Sequence, residues 1–211
     1  GAPWPKVEAV VGRSFRIPGP DENVYTMAAS AVLRLILQND VDPQSVGFLG
    51  FGTESSTDNA AGAVIVKGMV DDALLALGKA PLHRACEAPE FKQACLGGVY
   101  AMKAAARWLA CEGHGRSAIV VCGDVAEYER GSTGEQTQGA GAVAMWMESE
   151  PKLFEVRLGE GGNSASYREL DFRKPFGRHF VEGYANATKR VHDFPVFNGK
   201  YSTACYTDAV L

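Results

Sequence analysis

Residues 91–98 read Phe-Lys-Gln-Ala-Cys-Leu-Gly-Gly, and they run directly into an alanine-rich stretch that predicts a helix over 99–110. A thiol at the first turn of a helix feels the positive end of the helix dipole and unpaired backbone N–H groups, which favour the thiolate. Gly97 and Gly98 let other backbone, or an acyl group, approach the sulfur closely. The stretch therefore predicts a nucleophile elbow at Cys95 for acyl transfer. The alternative is a small buried residue at a helix N-terminus, since free cysteine is among the most buried residue types.

Apolar runs of strand length alternate with amphipathic stretches on both sides of this elbow. The pattern predicts helices over 23–38 and 60–77, the start of a helix over 202–210, and strands over 46–51, 117–122, 140–147 and 153–157, whereas residues 1–16 show little periodicity. Such alternation is typical of an α/β layered fold with parallel strand pairing. Functional groups then belong at the carboxyl ends of the strands. Because Glu54, Cys95 and Asp124 all lie at such ends or at the helix starts beside them, we expect them to share a site.

The bulk composition excludes several classes of partner. The net charge of −4 and the lack of basic runs interleaved with aromatic residues argue against nucleic acid. No apolar stretch approaches the roughly 18 residues of a membrane-spanning helix, and residues 1–5 lack the features of a signal peptide. Five cysteines without a Cys-x-x-Cys motif argue against a disulfide framework or a metal site, so we expect a reducing cytoplasm. Four of them are expected to be packing or surface residues, namely Cys86, Cys111, Cys122 and Cys205.

Two further motifs flank the elbow in the sequence. Residues 52–58 read Gly-Thr-Glu-Ser-Ser-Thr-Asp, and residues 134–145 read Gly-Glu-Gln-Thr-Gln-Gly-Ala-Gly-Ala-Val-Ala-Met. In this order and at this spacing, the three motifs resemble the hydroxymethylglutaryl-CoA synthases of the thiolase superfamily, especially the bacterial type. The resemblance covers nearly the whole chain, with further matches at 20–28, 123–128, 171–175 and 198–202. It implies a thiolase-like layered fold of which residues 1–211 form roughly the N-terminal half, with an inserted loop at 176–193 and the C-terminal half absent.

The same resemblance implies a reaction. Cys95 would take the acetyl group of acetyl-CoA as a thioester, and Glu54 would remove a proton from the acetyl methyl group. The resulting carbanion would add to the ketone of acetoacetyl-CoA, and water would then release hydroxymethylglutaryl-CoA for a mevalonate route to isoprenoids. A thiolate suits this chemistry because it is both a good nucleophile and a good leaving group. The two CoA thioesters would be substrates, and no cofactor or metal is expected.

Three further residues match acidic and aromatic positions that line the site in this family, and the resemblance implies that they bind substrate: Asp124, Tyr128 and Asp171. Gly97 and Gly98 are also expected to contact substrate, since backbone N–H groups around Cys95 could stabilise the oxyanion and enolate charge. Two of the three acidic and aromatic residues have structural alternatives. Asp124 is equally suited to accepting hydrogen bonds from loop amides, and Asp171 to pairing with Arg173 or Lys174. Asp58 reads more readily as a helix cap than as a catalyst.

The sequence departs from the family pattern at the catalytic histidine. That residue belongs to a downstream motif, and His83, His114, His179 and His192 do not lie in a matching context. We therefore expect a second chain, or the remaining half, to carry it, and the resemblance implies a dimer. One alternative is a β-branching polyketide-type synthase that uses an acyl-carrier protein, since residues 178–190 are basic enough to meet an acidic partner. Another is a non-catalytic thiolase-like subunit.

Overall fold

The computed structural model describes residues 4–57, 61–128, 130, 134–167 and 199–210. The chain divides into two compact units, of which the larger comprises 16–125 and 140–162 and the smaller comprises 1–15, 126–139 and 163–211. Three sequence-based expectations lie outside the described residues, namely the insertion at 176–193, Asp171 and Asp58.

Five helices and four strands make up the regular structure of the described residues. The helices are α1 (Trp4–Val10), α2 (Val24–Gln38), α3 (Gly62–Ala76), α4 (Gly97–Cys111) and α5 (Gly199–Val210). The strands are β1 (Val46–Gly52), β2 (Glu90–Phe91), β3 (Ser117–Ala126) and β4 (Gly139–Met147). Short 3₁₀ turns occur at Pro43–Ser45, Glu135–Thr137 and Leu158–Glu160.

The four strands form one sheet in the order β2-β1-β3-β4. The β1 strand pairs in parallel with both β2 and β3, so the expected parallel pairing is confirmed for these three strands, while β4 makes the sheet mixed. In register, Gly52 lies opposite Phe91 on one side and Cys122 on the other. Because the carboxyl ends of β1, β2 and β3 therefore meet at one edge, the loops that follow them start side by side.

Helices cover both faces of the sheet, which gives three layers. On one face, Leu49 and Phe51 of β1 belong to a buried cluster that also contains residues of α2 and α3. On the other face, Phe48 packs with Trp108 and other residues of α4. All seven residues of β1 are buried, as expected for a strand covered on both sides. The strand that carries the loop with Glu54 is thus fixed from both faces.

Several boundaries differ from the sequence-based expectations, and each difference has a local reason. The segment 153–157 forms no strand, since Leu153 is 95% exposed and Phe154 is 64% exposed, with no strand paired to them in the described structure. The helix α1 was not expected within 1–16 because its exposed turns carry no regular apolar face. The strand β3 runs four residues further than 122, so Asp124 lies within its carboxyl-terminal end. The helix α2 begins where Asn23 caps it, accepting hydrogen bonds from the backbone N–H groups of Tyr25 and Thr26.

The smaller unit has its own local contacts. The backbone N–H of Tyr128 donates to Gln138 Oε1 over 3.4 Å, and a Cβ added to Gly134 would overlap the Tyr128 ring. Thr137 Oγ1 donates to the carbonyl oxygen of Gly134 over 2.7 Å beside the 3₁₀ turn Glu135–Thr137. In the part of the chain that the structure describes, we find no helix with the length and apolar character needed to cross a bilayer.

Candidate active site

Cys95 lies in a tight turn between β2 and α4. The backbone N–H of Leu96 donates to Gln93 O over 3.0 Å, and that of Gly97 donates to Ala94 O over 3.1 Å. Ala94, the residue directly before the cysteine, has φ +46°, a left-handed conformation that is unfavourable for a residue with a Cβ. Such strain costs on the order of 1–3 kcal/mol and persists where surrounding contacts hold it. The turn leaves the Cys95 side chain exposed, as a nucleophile elbow requires.

The loop after β1 brings Glu54 to this turn. The Cys95 thiol donates to Glu54 Oε1 with an Sγ–Oε1 distance of 3.5 Å, although the two residues are 41 positions apart in the sequence. The pairing follows from the sheet, because β1 and β2 are parallel neighbours and their following loops leave the same edge. The structure thus unites the two residues predicted to be the nucleophile and the base, and a half-buried carboxylate within hydrogen-bond reach of a thiol can accept its proton.

Asp124 holds the beginning of the loop that carries Glu54. Its Oδ1 atom accepts from the backbone N–H of Glu54 over 2.7 Å, from Ser55 Oγ over 2.8 Å and from Thr53 Oγ1 over 3.2 Å. The backbone N–H of Val125 in turn donates to Ser55 Oγ over 2.9 Å. These contacts correspond to the structural alternative for Asp124, in which it accepts from loop groups. Hydrogen bonds to a carboxylate are among the stronger ones in proteins, so Asp124 orients the backbone at Glu54.

A second carboxylate, Glu90, holds the end of the same loop. Glu90 Oε1 accepts from Ser56 Oγ, and Glu90 Oε2 accepts from the backbone N–H of Gly62 over 2.8 Å. The hydroxyl of Tyr25 also accepts from the backbone N–H of Thr57 over 2.9 Å. Sequence reasoning missed Glu90 and Ser56. The available signal was a single carboxylate, five positions before the cysteine, in a strand of only two residues.

The glycines around the elbow allow backbones to touch. A Cβ on Gly52 would lie 2.6 Å from the carbonyl carbon of Gly97 and 2.7 Å from the Cα of Gly98. A Cβ on Gly97 would lie 2.7 Å from Phe91 O, and a Cβ on Gly98 would overlap Cys122 Sγ. The sequence predicted that Gly97 and Gly98 let an acyl group approach the sulfur. The contacts show a packing role for these glycines, since they let the first turn of α4 lie directly on β1, β2 and β3.

The other cysteines differ from Cys95 in their surroundings. Burial raises the pKa of the Cys86 thiol to about 12, and burial together with the neighbouring Asp124 raises the pKa of Cys122. Both groups therefore stay protonated and unreactive at neutral pH. Cys205 is buried, whereas Cys111 is exposed at the last turn of α4. These positions agree with the expected packing and surface roles.

The remaining candidate residues are distributed elsewhere. Tyr128 belongs to the smaller unit, and Asp171 lies outside the described residues. His83 Nδ1 accepts from the backbone N–H of Ala85 over 3.1 Å, and His114 lies in the turn after α4 with φ +47°. Among residues with described positions, no group of three His, Cys, Asp or Glu side chains could hold a metal ion. A groove of about 820 Å³ lies beside β4 and α4, but neither Cys95 nor Glu54 lines it.

Residues 14–152 match the sequence family described as hydroxymethylglutaryl-coenzyme A synthase N terminal, a range that contains Glu54, Cys95 and Asp124. The chain belongs to the hydroxymethylglutaryl-CoA synthase family. It is 35% identical over 159 residues to the hydroxymethylglutaryl-CoA synthase of Haloferax volcanii. The aligned residues cover 75% of this chain and 34% of that protein. The chain thus spans about a third of the length of this curated relative.

Solved structures of hydroxymethylglutaryl-CoA synthases agree with this assignment. MvaS in complex with 3-hydroxy-3-methylglutaryl coenzyme A has a TM-score of 0.79 at 33% identity, covering 96% of this chain and 43% of that chain. The synthase of the curacin biosynthetic pathway, in complex with its acetyl donor-ACP, has a TM-score of 0.69 at 22% identity. The match covers 92% of this chain and 42% of that chain. This second likeness shows the fold alone. The family and the thiolase-like α/β layered fold expected from the motifs are both confirmed.

Proposed function

We propose that this chain carries the acetyl-accepting part of a hydroxymethylglutaryl-CoA synthase active site. The observation that carries the proposal is the 3.5 Å contact between Cys95 Sγ and Glu54 Oε1, within a segment that matches the N-terminal family. A nucleophile needs a neighbouring group to accept its proton, and the same carboxylate can later act on a group bound to the sulfur. Both requirements are met by side chains that meet at one edge of the sheet.

In the first half-reaction, Cys95 loses its proton and its sulfur attacks the carbonyl carbon of acetyl-CoA. The carbon–sulfur bond to CoA breaks, the CoA thiolate takes up a proton, and an acetyl thioester remains on Cys95. Because the sulfur is exposed at the strained turn, the thioester carbonyl of acetyl-CoA can approach it directly. Covalent catalysis splits one difficult acyl transfer into two easier steps, the formation of the thioester on Cys95 and its later hydrolysis.

In the second half-reaction, Glu54 takes a proton from the methyl group of the bound acetyl. The resulting carbanion attacks the ketone carbon of acetoacetyl-CoA, and the alkoxide that forms takes up a proton. Water then hydrolyses the thioester to Cys95, which yields hydroxymethylglutaryl-CoA and the free thiol. The net reaction consumes acetyl-CoA, acetoacetyl-CoA and water and releases hydroxymethylglutaryl-CoA and CoA.

The proposal extends to the remaining parts of the site. As the family resemblance implies, Gly97, Gly98, Tyr128 and Asp171 contribute to substrate binding, and Asp124 acts by orienting the Glu54 loop. The histidine of the family motif comes from a second chain or from a segment outside the 211 residues, in a dimeric cytoplasmic assembly. The reaction uses the two CoA thioesters as substrates, with no further cofactor and no metal.

Intact-mass spectrometry after incubation with acetyl-CoA, followed by peptide mapping, tests the first half-reaction. We expect a single acetyl adduct on the Cys95 peptide, its loss in Cys95→Ala, and its retention in Cys111→Ala. The last variant is a matched control because Cys111 is also exposed and lies at the end of α4, the helix that begins two residues after Cys95. Glu54→Gln should accept acetyl more slowly, because its amide cannot take the Cys95 proton, and it should block exchange of the acetyl methyl protons with deuterated water. Stoichiometric acetylation of Cys95→Ala would contradict the assignment.

The donor separates the alternatives within the family fold. Transfer from an acetylated acyl-carrier protein at a higher rate than from acetyl-CoA would identify the β-branching type, which the basic residues 178–190 favour by charge. A synthase that carries the family histidine can be added to the same assay. If Cys95 of this chain takes acetyl from neither donor even then, the chain is a non-catalytic subunit. The presence of both Cys95 and Glu54 in contact favours an active site.

A further inference from the structure

Glu90 is a buried carboxylate that the proposed reaction does not use. It begins β2, and its side chain is only 4% exposed. Its two oxygens have different partners, since Oε1 accepts from Ser56 Oγ and Oε2 accepts from the backbone N–H of Gly62. A carboxylate is costly to bury unless its oxygens are hydrogen-bonded, and here both of them are.

Glu90 connects three segments that are far apart in the sequence. Ser56, which is fully buried, belongs to the loop that carries Glu54, and Gly62 is the first residue of α3. Glu90 itself lies five positions before Cys95 on the segment that forms the elbow. Lys92 Nζ reinforces the arrangement, lying 3.5 Å from Glu90 Oε1 and donating to Ser56 O over 3.4 Å. One side chain therefore ties the segment of the nucleophile to the loop of the base.

The need for a carboxylate at this position follows from the partners. The N-terminus of α3 has partial positive charge, and Glu90 supplies a negative charge there through its bond from the backbone N–H of Gly62. Gly62 permits the approach, because a Cβ at that position would overlap Glu90 Oε2. An amide in place of the carboxylate has a single acceptor oxygen, so it can satisfy only one of the two partners well.

We infer that Glu90 is a positioning residue that sets the separation between Cys95 Sγ and the Glu54 carboxylate. Asp124 holds the backbone of Glu54 itself, and Glu90 holds the loop two residues later at Ser56, so two carboxylates anchor the loop that carries Glu54. Release of the second anchor frees the loop to move relative to the elbow. The catalytic meaning of this separation rests on the proposed function, whereas the separation itself can be measured without substrate.

Cross-linking measures that separation directly. Glu54→Cys places a second thiol opposite Cys95, and the short bifunctional thiol reagent dibromobimane joins the two, with the product located by peptide mapping. We expect Glu90→Ala and Ser56→Ala to reduce the initial cross-linking rate about tenfold, since displacements near 1 Å have effects of this size or larger on reactions between positioned groups. Glu90→Gln should restore part of the rate through its remaining acceptor oxygen.

The matched control is Glu87→Ala, which removes a carboxylate three positions earlier on the same segment. Glu87 Oε1 accepts from Trp108 Nε1 over 2.8 Å, and within the described residues its side chain forms no hydrogen bond with residues 53–57. It should lower stability without changing the cross-linking rate. Ser56→Ala covers the case in which Glu90→Ala does not fold, because it leaves the hydrogen bond from Gly62 intact.

Two results would overturn the inference. The first is an unchanged cross-linking rate in folded Ser56→Ala and Glu90→Gln, and the second is no cross-link between residues 54 and 95 in the parent variant. The acetylation assay is independent of both. A chain without an acetyl adduct whose cross-linking still depends on Glu90 would refute the proposed function and leave the positioning role intact, whereas the reverse combination would refute only the positioning role.

Discussion

Replacing Gly52 with alanine tests the backbone contact on which the site is built. Gly52 ends β1, and an added Cβ would lie 2.6 Å from the carbonyl carbon of Gly97 and 2.7 Å from the Cα of Gly98. These atoms are backbone in the first turn of α4 and cannot rotate away as a side chain would. Because any relief must move α4 or β1, the elbow that carries Cys95 has to shift with it.

The size of the effect follows from the identity of the opposing atoms. Overpacking a core by one methyl group lowers the free energy of unfolding by about 1–3 kcal/mol. Because the neighbours here are rigid backbone, we expect a loss at the upper end, about 3 kcal/mol. With a urea dependence of about 2 kcal/mol per molar, the unfolding midpoint should fall by about 1.5 M. The same substitution at Gly68 has the opposite sign, since this residue lies exposed within α3 and an added Cβ meets nothing within 4 Å. Alanine there should stabilise by about 0.5–1 kcal/mol.

The assay is urea unfolding of both variants and the wild type, with the unfolded fraction monitored by far-ultraviolet circular dichroism and by tryptophan fluorescence. Agreement between the two probes checks that the transition is cooperative. Gly52→Ala should also slow acetylation of Cys95, while Gly68→Ala should not. A Gly52→Ala midpoint within about 0.2 M of the wild type would refute the inference that β1 and α4 touch through their backbones at this point.

Two further predictions concern the thiols beside the site. Gly98→Ala should destabilise by about 1–2 kcal/mol through overlap with Cys122 Sγ, and Cys122→Ala should remove most of that cost in a double-mutant cycle measured by urea unfolding. Additive effects of the two substitutions would contradict the contact. For Cys86, burial raises the pKa from 9.0 to about 12, so the unfolded chain loses this proton at lower pH than the folded chain. The stability that comes from the neutral thiol is complete below pH 9 and decreases toward pH 12, by on the order of 2 kcal/mol near pH 10.5. The stability difference between wild type and Cys86→Ala should therefore shrink as the pH of the unfolding buffer rises over that interval, and a constant difference would contradict it.

The sequence was sufficient for the elements whose apolar pattern is strong. The helix α2 and the strands β1 and β4 lie within one residue of their predicted bounds, because burial on one or both faces enforces a regular apolar pattern. The segment 153–157 has the same local composition as a strand but has no strand beside it, and composition does not reveal whether a neighbour is present. The strand β2 is only two residues long, too short for any periodicity.

The reactive pair was predictable for a different reason than its supports. Cys95 and Glu54 are marked by residue type at the ends of apolar runs, and the sheet topology then brings such ends together. Asp124 also lies at the end of an apolar run, but the contacts show that it acts by holding the Glu54 loop across 70 positions. Glu90 reaches Ser56 across 34 positions, and a single sequence does not distinguish such a carboxylate from a solvated one.

The segment before the nucleophile shows how a two-residue strand can hold a strained turn. Its backbone pairs with β1 beyond β2 itself, since Leu49 N donates to Glu87 O over 2.7 Å and Phe51 N donates to Pro89 O over 3.0 Å. Its side chains then reach both helical layers, with Glu87 bonded to Trp108 of α4 and Glu90 bonded to the N-terminus of α3. A turn with a left-handed alanine persists only if its ends are fixed on all sides. The backbone pairing with β1 and the contacts of Glu90 hold the part of the segment next to this turn, and Glu90 also reaches the loop of the base, whereas Glu87 anchors the start of the segment to α4.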